Sequence, residues 1–267
     1  MSGLCRCAGL TRQAYYRSRP LRRQRERNEE ALLCAVRKER LQMPRLGTRK
    51  LQHRLRSAGM NVGRDHLFGL LRRREMLIRA KRKQVRTTYH DQTLPVYRNL
   101  LYDLTLTCCN QAWAADITYI NTAEGYIYLC LITDLYSRRI VGWYPSETLL
   151  ASDTLKALDV ALRDLPANCH PIHHSDRGCQ YCCHQYVAAL SARGLPVSMT
   201  EKNHCYENAC AERVNGILKL EFNLDSTFAS RSQAILAIEQ AVHTYNSLRP
   251  HFSLNLRTPN EVHQIAA

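Results

Sequence analysis

The sequence lacks a long hydrophobic run, an internal repeat and a low-complexity tract. Its longest strongly apolar stretch lies between Tyr126 and Leu135, well short of the roughly 20 apolar residues that a membrane-spanning helix needs. No apolar segment of the kind found in secretory signals follows Met1. These absences argue against a membrane protein and predict a cytoplasmic one. With 267 residues, 45% of them hydrophobic, the chain can bury a sizeable core.

The 12 cysteines do not suggest a disulfide framework, because such frameworks belong to short secreted domains. Six residues with zinc-binding side chains lie close together in sequence: Cys179, Cys182, Cys183, His184, Cys205 and Cys210. Adjacent side chains on a helix point about 100° apart, and no second pair has ligand spacing. We therefore interpret these cysteines as small buried thiols and leave a metal as the alternative.

Charge is distributed unevenly along the chain. Residues 1–100 contain 26 Lys and Arg against 7 Asp and Glu, whereas residues 101–267 contain 12 against 16. A concentrated basic half usually neutralises nucleic-acid phosphates or an anionic membrane surface. The alternative is a basic face that is merely solvated.

The basic half is predicted to form short helices. The first covers residues 28–41; a second is capped by Thr48 and ends at Gly59, and a third runs from Gly63 to Arg74. Two helices joined by a tight glycine turn are typical of a helix-turn-helix module, although small bundles that never contact DNA share the pattern. We expect DNA contacts from Arg49, Lys50, Arg64, Arg72 and Arg73.

The second half is rich in β-structure. Three strand-like runs, 112–120, 126–132 and 139–144, are followed by alternating helices and short strands, the latter near 171–174 and Val197. This order predicts an α/β fold with a mixed sheet covered by helices. The expected organisation is an N-terminal fragment (1–27), a basic helix-turn-helix-like region (28–86), a linker (87–107) and a catalytic core (108–267).

Three acidic residues stand where this order of elements would bring them together. Asp116 interrupts an apolar strand, where a carboxylate is costly to bury unless it is paired or bound to a cation. Asp176 follows the next isolated strand and precedes Gly178. Glu212 lies on a predicted helix, in a polar stripe with Asn208, Asn215 and Lys219.

Three carboxylates form a hard oxygen site suited to Mg²⁺ or Mn²⁺. Two such ions can activate a water or a 3′-hydroxyl for attack on phosphorus. We therefore predict phosphodiester cleavage or transfer, with Lys219 and Asn215 beside the DNA.

Other polar residues have simpler interpretations. Asp134, Asp153 and Asp159 are expected to cap backbone or face solvent. His173 and His174 flank Asp176, but a histidine at a strand end is more often satisfied by backbone than catalytic.

The spacing of Asp116, Asp176 and Glu212, with 35 residues between the last two, resembles the catalytic triad of integrase-like DDE transposases. Lys219 matches the basic residue often found seven positions after that glutamate. Five segments resemble successive signature blocks of the second-frame (OrfB) transposase of the IS-three family of bacterial insertion sequences: 113–120 (WAADITYI), 131–142 (LITDLYSRRIVG), 174–181 (HSDRGCQY), 205–212 (CYENACAE) and 245–251 (YNSLRPH). Residues 9–16 and 44–50 resemble that family's N-terminal region.

This resemblance implies an RNase-H-like catalytic core and a Mg²⁺-dependent enzyme, holding two ions, that nicks element ends and joins the 3′-hydroxyl to a new strand. It also implies terminal-repeat and target DNA as partners, a homo-multimer on DNA, and a frameshift fusion to an upstream-frame helix-turn-helix and leucine-zipper product. Two alternatives are open, a nuclease without strand transfer and a catalytically dead DNA-binding regulator.

Overall fold

A computed structural model describes residues 11–78, 97–201 and 208–265, together with Cys7 and Gly9. The chain divides into two compact units, Met1–Arg79 and Ala80–Ala267. No helix within the described ranges is both long and apolar enough to cross a membrane. Cys205, one of the candidate zinc ligands, and residues 79–96, which include the first ten residues of the expected linker, lie outside the described residues.

The first unit is helical. Helix α1 spans Arg12–Gln42, α2 spans Thr48–Ser57 and α3 spans Arg64–Arg73. Helix α1 is far longer than predicted: the boundary expected between residues 27 and 28 falls inside it. The hydroxyl of Thr11 accepts a hydrogen bond from the Ala14 amide (3.0 Å) and so begins the helix upstream.

The turn between α2 and α3 follows the expected pattern. Gly59 has a φ of +83°, a left-handed conformation that ends α2 at little cost for glycine. The side-chain amide of Gln52 donates to the carbonyl of Val62 (2.9 Å) and ties the turn to α2. The expected cap was wrong by one position. Gly47 is the residue before the first turn of α2, and it has no side chain that could accept from a helix amide; Thr48 is already the first residue of the helix.

The second unit contains a five-stranded mixed sheet, as predicted. Its strands are β1 (Ala112–Thr122), β2 (Gly125–Asp134), β3 (Ile140–Ser146), β4 (Ile172–Ser175) and β5 (Val197–Met199). Their order is β3-β2-β1-β4-β5. Strands β1, β2 and β3 form an antiparallel meander, whereas β4 pairs in parallel with both β1 and β5.

Helices cover the sheet. They are α4 (Ala151–Arg163), α5 (Cys179–Cys182), α6 (His184–Ala192), α7 (Ala209–Glu221), α8 (Arg231–Ser247) and α9 (Pro259–Ile265). The helix predicted near 182–193 is thus two helices, because Cys183 is extended. Ser230 caps the start of α8, because its hydroxyl accepts from the amide of Gln233 (3.2 Å).

The two faces of the sheet carry different cores. On one face Trp113 and Ala115 pack with α4 and α6 side chains such as Leu158 and Leu190. On the other, Ala112 and Ala114 pack with Ala211 of α7. Since successive strand residues point to opposite faces, the even-numbered Asp116 lies on the α7 face.

Part of the expected linker belongs to the second unit. The amide of Asn99 donates to the Glu201 carboxylate (2.7 Å), and the amide of Leu100 donates to the Ser198 hydroxyl (2.9 Å). Tyr97 packs against the core cluster on the Trp113 face. Residues 97–101 are therefore attached to the sheet.

Candidate active site

Asp116 lies in the middle of β1, beside an edge of the strand that no partner strand covers within the described residues. Strand β4 pairs with β1 only at Ala112, Trp113 and Ala114. One carboxylate oxygen of Asp116 accepts from the Ile117 amide (2.9 Å), and the other accepts from the side-chain amide of Asn215 (2.7 Å). The carboxylate is thereby held in one orientation.

Burial raises the pKa of Asp116 from 3.8 to about 7, and the negative charge of Asp176 adds to this effect. The hydrogen bonds from Ile117 and Asn215 oppose the rise, while Glu212 makes a smaller contribution to it. The structure thus brings Asp116 within electrostatic reach of both Asp176 and Glu212. The ligand atoms of the three described residues do not all lie within 4.8 Å of one another.

Asp176 sits directly after β4, on a turn that other residues fix. Its carboxylate accepts from the amide of Gly178 (3.0 Å). A Cβ at Gly178 would lie 3.0 Å from that same carboxylate oxygen, so a larger residue at this position would displace the carboxylate. The guanidinium of Arg177 donates to the carbonyls of Thr200 and Glu201 (2.7 and 2.9 Å), which anchors the turn to the segment after β5.

Glu212 is solvent-exposed in the first turn of α7. The polar stripe predicted for this helix exists, but two of its members face inward. Asn208 is 3% exposed and donates to the carbonyl of Ala115 (3.1 Å). Asn215 is 7% exposed and donates to Asp116 rather than facing solvent. Both asparagines position α7 against β1, a role that helical spacing alone does not reveal.

Lys219 is half-buried, and its ammonium lies 4.4 Å from the centre of the Tyr119 ring. It is thus close to β1, three residues beyond Asp116. Tyr119 was not singled out from the sequence, because a strand tyrosine is ordinarily a core residue.

A second cluster of ligand-type side chains lies elsewhere in the unit. Among the described residues, Cys109, Asp134 and His263 alone place three such atoms within 4.8 Å of one another. The Ser137 hydroxyl donates to Asp134 (2.7 Å) and lies 2.9 Å from Nδ1 of His263. Asp134 also accepts from the amides of Asn110 and Ser137 (2.8 and 2.7 Å), in line with the expected capping role. The cluster is a hydrogen-bonded junction between β2 and α9.

The rings of the two histidines beside Asp176 have side-chain partners. The hydroxyl of Tyr186 lies 2.9 Å from Nε2 of His173, and Nδ1 of His174 lies 2.8 Å from the Ser198 hydroxyl. Both rings are about 99% buried. Burial lowers the pKa of His173 to about 3, so its ring is neutral.

Asp153 and the cysteines that follow Asp176 differ in part from what the sequence predicted. Asp153 is 4% exposed and accepts from the hydroxyl of Thr148 (2.6 Å) and the ammonium of Lys156 (3.2 Å), so it neither faces solvent nor caps the backbone of α4. The thiol of Cys182 is buried beside Met199, whereas Cys179 is exposed. No group of metal-ligating atoms in the described ranges includes Cys179, Cys182 or Cys183.

The candidate DNA-binding residues of the first unit differ in environment. Arg49 is exposed, but Lys50 is only 8% exposed, so its placement on an outer face was wrong. Arg73 pairs with Glu29 of α1 (2.9 Å). Two more are exposed and contact neighbouring side chains. Arg64 forms an ion pair with Asp65 (2.9 Å), and the guanidinium carbon of Arg72 lies 5.1 Å from the centre of the Phe68 ring.

Comparisons with known proteins agree on one family. Residues 107–205 match an integrase core domain family, and residues 193–259 match a second integrase core domain family. The chain is 36% identical to an uncharacterized 31 kDa protein of insertion element IS600 from Shigella sonnei, covering 99% of this chain and 100% of the relative. It is 34% identical to transposase InsF of insertion sequence IS3A from Escherichia coli, covering 94% and 89%.

The fold is similar to that of a solved structure. The chain superposes on a protein chain in the intasome of simian T-cell lymphotropic virus with a TM-score of 0.52 and 16% identity, covering 82% of this chain and 70% of that one. At this identity the likeness concerns the integrase fold.

Proposed function

Because the chain belongs to the IS3 family of insertion-sequence transposases, its function is DNA transposition, and we propose that Asp116, Asp176 and Glu212 are the catalytic residues. The observation that supports this assignment is the position of Asp116, which lies within β1, accepts a hydrogen bond from Asn215 of α7 (2.7 Å) and is close enough to Asp176 and Glu212 for their charges to act on it. Such crowding of negative charge is costly unless a cation is bound, and it is common at catalytic sites.

The donor set fits a hard divalent cation. The three residues offer only carboxylate oxygens, the ligands that Mg²⁺ and Mn²⁺ prefer. We propose that they hold two such ions. When bound, the metal supplies an activated water or 3′-hydroxyl and stabilises the leaving oxygen during attack on phosphorus.

The surrounding residues orient these ligands. Asn215 holds one oxygen of Asp116, and the amide of Ile117 holds the other. Asn208 fixes the start of α7 and therefore the position of Glu212. Arg177 and Gly178 shape the turn that presents Asp176. Supporting hydrogen bonds of this kind keep ligands in a productive geometry.

DNA contacts are proposed on both units. In the second unit Lys219 would hold a phosphate beside the carboxylates. In the first unit the exposed residues Arg49, Arg64 and Arg72 would contact terminal-repeat DNA, while Arg73 chiefly links α3 to α1. This proposal treats 28–86 as the DNA-binding region and 108–267 as the catalytic core.

Two further partners follow from the family. We propose that the active form is a fusion with the upstream-frame helix-turn-helix and leucine-zipper product, and that it acts as a homo-multimer on the element ends. Target DNA is the second nucleic-acid substrate.

The test is Mg²⁺-dependent nicking and strand transfer on labelled DNA that carries the element's own ends. The assay compares this chain alone with its fusion to the upstream-frame product. Each protein is tested as the wild type, with Asp116→Asn, and with the control Asp159→Asn, which alters an exposed carboxylate of α4. Joined products that persist in the control and vanish with Asp116→Asn are expected. Nicking without joining would favour a nuclease, and DNA binding without any metal-dependent cleavage would favour a regulator.

A further inference from the structure

The N-terminal part of α1 lies outside the packed part of the first unit. Every residue from Tyr16 to Asn28 is exposed, and among the described side chains of α1 burial begins at Leu32. We call residues 12–27 the projecting segment. At about 1.5 Å per residue it is about 24 Å long.

Arginine dominates the projecting segment. The segment contains seven arginines and a single acidic residue, Glu26. Glu26 pairs with Arg22 (3.1 Å), and both side chains remain mostly exposed. An exposed ion pair of this kind adds little stability. The segment therefore carries a strong positive charge that one carboxylate cannot neutralise.

The arginines point to more than one side of the helix. Arg19, Arg23 and Arg27 follow i, i+4 spacing and form one row, whereas Arg17 and Arg25 lie on other sides. Like charges four residues apart repel each other and destabilise an isolated helix. A helix that is polar on all sides also has no apolar face to bury. An anionic ligand that meets several sides of the helix would relieve this repulsion.

Duplex DNA fits these properties better than a second protein helix does. A helix in the major groove has phosphates along both walls, and basic helices of DNA-binding proteins occupy the groove in this way. A coiled coil needs a continuous apolar seam. The exposed large apolar side chains of the segment are Tyr16 and Leu21, and a second copy would bring like charges together.

The projecting segment continues into a cleft beside α3, the helix already proposed to contact DNA. This cleft has a volume of about 780 Å³. Arg25, Asn28 and Glu29 line it from α1, and Asn61, Gly63 and His66 line it from the start of α3 and the turn before it. Its acidic residue, Glu29, is paired with Arg73 (2.9 Å). DNA that contacts Arg64 at the start of α3 would therefore lie close to Arg25.

We propose that the projecting segment binds duplex DNA next to the sequence contacted by α3, with its arginines on the phosphates that border one groove. This inference rests on the proposed function for the choice of partner, and it extends the DNA-binding surface upstream of residue 28. At about 3.4 Å per base pair, a helix 24 Å long spans about seven base pairs. Contacts to phosphates would add affinity that does not depend on sequence.

The test measures DNA binding by the full chain in EDTA, where metal-dependent cleavage does not occur. The triple variant Arg19→Gln, Arg23→Gln, Arg27→Gln removes the row of charges and keeps residues that favour a helix. The matched control is Arg163→Gln, Arg193→Gln, Arg257→Gln, which removes the same charge from exposed arginines of the second unit. Affinity for an element-end duplex is measured against salt concentration, and hydroxyl-radical footprints are recorded on the same DNA.

The triple variant should lose salt dependence as well as affinity. Three lost phosphate contacts reduce the slope of log affinity against log salt by about 2.7. Between about 50 and 200 mM salt, the affinity of the wild type should therefore fall about 40-fold more than that of the variant. The footprint should shorten on one side by up to about seven base pairs. The control, and a variant with lysine at the same three positions of α1, should resemble the wild type.

Several outcomes would overturn the inference. One is a wild-type salt slope and footprint in the glutamine variant, and another is an equal loss in the control. Weaker binding of an RNA hairpin with unchanged binding of duplex DNA would assign the segment to RNA instead. A changed oligomeric state with an unchanged footprint would assign it to a protein interface. None of these outcomes depends on cleavage, so the assay with Asp116→Asn tests the proposed function separately.

Discussion

Replacing Asp116 with Asn should stabilise the metal-free protein, and the gain should grow with pH. The folded state raises the pKa of Asp116 from 3.8 to about 7, so it binds this proton more tightly than the unfolded chain does. Wild-type stability is therefore lost as pH rises from about 4 to about 7. The Asn variant has no such proton to lose, so the difference between the two proteins should be absent near pH 4 and complete above pH 7.

The size of the gain follows from the shift. A rise of about 3 units corresponds to about 4 kcal/mol. Because Asp116 is half-buried by exposed area, solvent screening reduces this to about 2 kcal/mol. For a unit of this size, that equals roughly 4–8 °C in melting temperature. The new amide can also be accommodated, since Oδ1 of Asn215 is buried without a hydrogen-bond partner and would accept from it after an amide flip.

The assay is thermal unfolding in EDTA from pH 4.5 to 8, with Asp159→Asn as the exposed control. Any pH-independent effect of the substitution, such as a weakened hydrogen bond, shifts all points equally and leaves the slope unchanged. Adding Mg²⁺ at pH 8 should raise the melting temperature of the wild type more than that of the variant. A difference in melting temperature that stays constant across this pH range would refute the electrostatic account of the site.

Three other substitutions test the supporting residues. Asn215→Leu removes the hydrogen bond that lowers the pKa of Asp116, so cleavage should fall about 10–100-fold and its pH midpoint should move upward; an unchanged pH profile would contradict this. Gly178→Ala places a Cβ 3.0 Å from the Asp176 carboxylate, while the backbone φ of −64° at this position is one that alanine adopts readily. Cleavage should therefore fall while the melting temperature changes little, and activity assays and melting curves on the same protein would show this. His173→Gln removes a ring whose pKa is lowered to about 3; the wild type should lose stability as pH falls below about 6.5, and the variant should lose less, which acid melting curves can measure.

The sequence alone predicted the three carboxylates that we propose as catalytic, and it predicted the sheet that carries Asp116. A carboxylate within an apolar strand is costly and so conspicuous, and Asp116 is one. Apolar runs rich in β-branched and aromatic residues and bounded by turn residues indicate strands over a few positions, which is why β1 and β2 were located correctly to within a few residues. The turn at Gly59 was also predicted, because the left-handed conformation that ends a helix depends on the glycine itself and not on distant contacts.

Side-chain direction at partly polar positions needed the tertiary structure. Helical spacing placed Asn215 and Lys50 on polar faces, but the structure buries both. Spacing gives the angle of a residue around its helix, whereas burial depends on which neighbour packs there, and β1 is distant in sequence from α7. The length of α1 could not be read from the sequence either, because its N-terminal part is dominated by charged residues and has no helical repeat of apolar residues.

The contact between β1 and α7 is the clearest case of this division. Asp116 and Asn215 are separated by about a hundred residues, as are Tyr119 and Lys219, and each residue alone has an ordinary interpretation as core or surface. The local sequence determines the strand and the helix because propensity and periodicity act over a few neighbours. Only the packing of α7 against β1 brings these side chains together, because it depends on contacts between distant parts of the chain.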